Sequence, residues 1–83
     1  MIKPRIIAYK GTQDIFFRVE TVHFDKDNVP FFHEGEYFPV AGPDMDSIHF
    51  ALNQIKACLN EPILWGDEKF PQEFDYDNWK RTH

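Results

Sequence analysis

Apolar and polar positions alternate along the first half of the chain and then switch to a helical repeat. Ile15–Phe24 carries the clearest alternation: Ile15, Phe17, Val19 and Thr21 fall on one face, and Phe16, Arg18 and Glu20 on the other, with Val22 and Phe24 beyond. Its Ile, Phe, Val and Thr content suits a pleated surface. The alternation blurs towards Phe24, where a β-bulge or a second buried face is expected. Pro4–Lys10 is shorter and β-branched and also predicts a strand. Between the two, Lys10-Gly11-Thr12-Gln13-Asp14 is a turn cluster.

Asp25-Lys26-Asp27-Asn28 predicts a tight hairpin turn. Asp initiates such turns through its side chain, and Asn tolerates the left-handed conformation. Val29–His33 and Glu36–Val40 then supply the returning strand or strands. Pro30 lacks an N–H for a ladder bond, which makes this an edge strand. Ala41-Gly42-Pro43-Asp44 ends the sheet pattern.

Met45, Ile48, Leu52, Ile55 and Leu59 recur at spacings of three and four, one stripe of a helix. Asp44 is placed to cap it, Asp46 complements the positive end of its dipole, and Pro62 closes it. A helix this short needs tertiary packing to be stable, so the stripe is expected to lie on the sheet. The fold class that follows is α+β: a small antiparallel sheet of three or four strands with one amphipathic helix on one face, in the order β-β-β-α. Residues 1–65 form this single domain. Residues 66–83 are a C-terminal acidic, aromatic extension that packs on it or projects from it.

Composition changes the picture at one point. Eighty-three residues make one domain, and nine Phe, three Tyr and two Trp are many for so small a core. Some are expected to face a partner or a second copy. At 100° per residue Phe50 falls nearly opposite the helical stripe, beside Asn53, Gln54 and Ala57. Either the tail covers it or a partner does. Phe50, Trp65, Phe70, Phe74, Tyr76 and Trp79 are therefore the candidate partner-binding residues.

The formal charge of −5 argues against direct nucleic-acid binding, which relies on phosphate neutralisation. Residues 60–83 carry six acids against three bases. Such a balance suits a basic protein partner. One cysteine, Cys58, excludes an internal disulfide and favours the cytoplasm. No membrane span is expected.

Chemistry-bearing motifs are sparse. The glycines at 11, 35, 42 and 66 form no phosphate loop. Ser47 and His49 have no nucleophile-elbow context. Cys58 sits at the border of the helical stripe with only Lys56 near it in sequence, and it is expected to pack rather than react. His23 and His33 could meet across the hairpin with Glu34 and Glu36, a minimal metal set, although cross-strand pairs are how any sheet is built. No catalytic, cofactor-binding or metal residue is assigned, and no cofactor is expected. The expected function is a protein-binding or regulatory module, with a homodimer as one form. The alternative is an acidic inhibitor that mimics nucleic-acid charge. A third reading is a metal-binding or enzymatic protein using His23 and His33.

The segment Phe17–Trp65, about three fifths of the chain, resembles a family of short uncharacterised bacterial proteins. Their pattern is a strand ending E-V-Y-Y, a D-x-D-G turn, a proline, a serine-led helix of the form L-x-x-M-x-x-A-L, and P-V-L. The matching residues are Glu20–Phe24, Asp25–Asn28 with Pro30, Ser47–Leu59 and Pro62-Ile63-Leu64. Asn28 replaces the turn glycine and Ile55 the methionine. The resemblance implies the hairpin-then-helix order and no activity.

Overall fold

The computed structural model describes residues 1–83. Three long strands come first: β1 (Ile2–Lys10), β2 (Ile15–Phe24) and β3 (Pro30–Tyr37). The helix α1 (Met45–Cys58) follows, then a two-residue strand β4 (Leu64–Trp65), a 3-10 turn (Asp67–Lys69) and a short helix α2 (Tyr76–Arg81). The fold class is α+β, a four-stranded sheet with one main helix.

The strand order is β3-β2-β1-β4, and the sheet is mixed rather than antiparallel throughout. β1 and β2 pair antiparallel along their whole length, from Ile2 opposite His23 to Lys10 opposite Ile15. β4 pairs parallel to β1, Leu64 beside Ile7 and Trp65 beside Ala8. The cause is the helix. β3 already runs parallel to β1, and α1 carries the chain across to the far edge, so the next strand enters in the same direction.

Local chemistry makes the turns as expected. Asp25 Oδ1 accepts from the backbone N–H of Asp27 at 2.8 Å and of Val29 at 3.0 Å. Asn28 takes the left-handed conformation at φ 63°. β3 is one continuous edge strand, and register shifts fall between Glu20 and Val22 and between His23 and Phe24. The first coincides with Gly35 at φ 74°, a backbone angle that favours glycine. Asp44 caps α1, accepting from the Ser47 N–H at 2.9 Å.

Two apolar clusters use opposite faces of the sheet. Ile7, Val22, Phe24 and Leu64 form a buried core with Tyr9 and Phe70 packed against it. Each such side chain contributes roughly 1.5–3 kcal/mol. Phe17, one residue out of phase with that set, gathers the tail on the other side: Phe74, Tyr76 and Trp79 surround it with ring centroids 5.5–5.8 Å away. Residues 63–74 double back as a small hairpin, with Trp65 N–H donating to Gln72 O at 2.8 Å and Phe74 N–H to Ile63 O at 2.7 Å. The extension is thus packed on the domain.

The helix departs from expectation. Its buried residues are Ala51 and Cys58. Ile48 and Ile55 are half-buried, whereas Met45 is 64% exposed, Leu52 49% and Leu59 64%. The face that packs on β1 is rotated from the apolar stripe. Small side chains let a helix backbone sit close to a sheet, and the two buried residues of α1, Ala51 and Cys58, are both small. The bulky stripe is left on the flank.

Candidate functional site

One carboxylate collects the polar chemistry of the sheet. Glu20 is 0% exposed. Its Oε2 accepts from Arg18 Nε at 2.7 Å and from the Tyr9 hydroxyl. Its Oε1 accepts from His33 Nδ1 at 2.8 Å and from the Gly35 N–H at 3.0 Å. Arg18 also donates to the Gly35 carbonyl at 2.8 Å, and its guanidinium stacks on the Tyr9 ring at 4.6 Å. Strand phase explains the cluster: Arg18 and Glu20 are two apart on β2, Tyr9 is on the same face of β1, and the bulge at Gly35 turns a backbone N–H inward. Burial alone would push the Glu20 pKa up, but hydrogen bonds from Tyr9, His33 and Arg18 outweigh it and hold the carboxyl below its ordinary range. Burial and the Glu20 carboxylate together push the Tyr9 phenol up.

This cluster resembles a carboxylate–imidazole dyad, since Glu20 fixes the proton on His33 Nδ1. The Phe70 ring packs against the imidazole at 4.6 Å between centroids. The geometry does the work of a clamp that locks β3 onto β2 and β1.

The two hairpin histidines do not share a site. His33 is opposite Val22 and His23 opposite Phe32, which sends the two imidazoles to opposite faces. His23 pairs instead with Glu34, Nε2 to Oε2 at 2.7 Å. No group of three or more His, Cys, Asp or Glu is placed to hold a metal ion. Cys58 is buried against β1, and burial pushes its thiol pKa up, the wrong direction for a nucleophile.

The aromatic candidates divide. Phe74 is buried, and Trp65, Phe70 and Trp79 are half-buried. They cover Phe17, Tyr9 and His33 rather than Phe50. Most of the tail is therefore core, and of its aromatics Tyr76 stands most open. Phe50 is 66% exposed. It lines a shallow hollow with Phe38, Pro39 and Ala51 where α1 meets the segment after β3.

The unpartnered surface that sequence reasoning missed is the α1 stripe itself. Leu59, at its C-terminal end, opens into a hollow of about 570 Å³ whose other apolar walls include Ile6, Ile63 and Tyr76. The signal was present in the spacing: Met45, Ile48, Leu52, Ile55 and Leu59 repeat strictly every three and four residues. Ile48 and Ile55 of that repeat are half-buried, and Met45, Leu52 and Leu59 are exposed.

No helix is long and apolar enough to cross a membrane. Searches of protein-family profiles, of curated proteins and of solved structures find no match for this chain.

Proposed function

We propose that this chain is a protein-binding module without catalysis of its own, and that it engages its partner through the apolar stripe of α1. One observation carries the reading: Met45, Leu52 and Leu59 lie along one line of the helix and stand about half to two thirds exposed. Scattered apolar residues on a surface need no explanation. Three aligned on one helix do, because a second chain can cover all of them along one face.

The test is a photo-crosslinking residue placed at position 52 in cells that make the protein, with position 27 on the hairpin turn as the control. Adducts are expected at 52 and not at 27, and sedimentation velocity then distinguishes a foreign partner from a second copy. No adduct at 52 above the level at 27, together with a monomer at every concentration, would overturn the reading.

A further inference from the structure

The hollow beside Leu59 narrows the partner to a chemical class, an inference that rests on the protein-binding reading. Its lining mixes Ile6, Leu59, Ile63, Phe74 and Tyr76 with the acids Glu61, Glu73, Asp75 and Asp77. Glu61 is held by Arg5 at 3.6 Å. The other three have no cationic partner in the chain. All four acids are exposed.

Two independent patterns meet at Leu59. The first is the strict seam on α1, whose repeat is that of knobs entering a facing helix. The second is a cup at the end of that seam where apolar side chains sit beside four acids, of which Asp75 also caps α2 by accepting from the Asn78 N–H at 3.1 Å. We propose that the occupant is an amphipathic helix of another protein bearing Lys or Arg beside its apolar stripe. It lies along Met45, Leu52 and Leu59, seats one large side chain in the cup, and sets its cations against Glu73, Asp75 and Asp77. The fourteen residues of α1 offer it a track about 21 Å long.

Charge also decides between candidate occupants. A second copy is a poor one: its own α1 brings Lys56 as the only formal cation, together with Asp46, and two chains of net charge −5 repel. An acidic helix meets like charge at the rim. A basic helix is attracted both at the rim and over the distance of approach.

The test uses the whole 83-residue chain and three synthetic peptides. One carries leucines at the seam spacing with lysines beside them. The second replaces lysine by glutamate, and the third scrambles the first. Titration calorimetry is expected to show the basic amphipathic peptide binding at least about tenfold tighter than either control, weakening as salt is raised through the range that screens surface charge. Leu59→Ser, and separately Glu73→Gln with Asp77→Asn, should each lower that affinity about tenfold, with circular dichroism unchanged. Lys26→Gln, far away on the hairpin turn, should not change it. Equal binding of the charge-reversed or scrambled peptide, or full affinity in Leu59→Ser, would overturn the proposal. If the basic peptide fails while position 52 still crosslinks to a protein, the class of partner is wrong and the protein-binding reading stands. If both fail, both fall.

Discussion

Glu20 and Leu52 have exchanged the places that hydrophobicity assigns them. The carboxylate is sealed inside and the leucine stands half in water. Four donors converge on Glu20, two of them from a cation and a backbone N–H fixed by a bulge, so its burial leaves nothing unpaired. About half of Leu52 meets no surface, because α1 seats on β1 through Ala51 and Cys58. Burial in this chain follows whether a group's needs can be met where the backbone puts it.

The largest effect should come from breaking the carboxylate side of that contrast. Glu20→Ala strands Arg18, Tyr9, His33 and the Gly35 N–H without an acceptor. Losing one member of a buried charged cluster costs about 3–5 kcal/mol, which is most of the stability of a domain this small. Urea denaturation followed by circular dichroism should find the variant largely unfolded. Glu20→Gln should fall between it and the parent, since its amide turns one acceptor into a donor among donors.

A second test compares the tail with both regions. Phe17→Ala removes the ring around which Phe74, Tyr76 and Trp79 gather. A cost of about 2–3 kcal/mol is expected, below a fully buried Phe because Phe17 is half-exposed. Fluorescence of Trp79 should report release of the tail before the sheet melts.

Acid should separate the two regions. The folded-state pKa of Glu20 lies below its ordinary value of 4.5, so its stabilisation is complete above the unfolded-state value and is lost as pH falls through the folded-state value. Stability should be level from neutral pH down to about 5 and then decline. Glu20→Gln should show a shallower decline, measured by denaturation across the pH series. Substitutions in the α1 stripe should leave the shape of the curve unchanged.

The parts of the fold set by local chemistry were legible in the sequence. The Asp25–Asn28 turn, the Asp44 cap and the β2 alternation all rest on neighbours a few residues apart. The parallel strand at Leu64–Trp65 was not, because two residues carry no period and their pairing depends on where α1 returns the chain. Nor was the Glu20 clamp. Period two places Arg18 and Glu20 on one face, but only the register at the bulge brings Gly35 and His33 to the same carboxylate. The α1 stripe is legible as apolar, but Ile48 and Ile55 alone of its five residues are half-buried, and Met45, Leu52 and Leu59 stay exposed. Periodicity states which residues share a face, and it does not state what that face meets.

The smallest expected effect is therefore the most informative. Leu52→Gln on a helix that truly packed by its stripe would create a cavity and a buried amide and cost about 2 kcal/mol or more. In this structure half of Leu52 is already in water, and its neighbours along the stripe, Met45 and Leu59, are more exposed still. Substitution at such a position normally changes stability by no more than about 0.5 kcal/mol, and glutamine is as good a helix former as leucine to within a few tenths. An unchanged urea midpoint, joined to loss of crosslinking from a neighbouring position such as 45, would show that the residue serves an encounter and contributes nothing to the fold. A midpoint that falls as a core substitution does would mean that α1 packs through its apolar stripe after all, and the contrast with Glu20 would disappear.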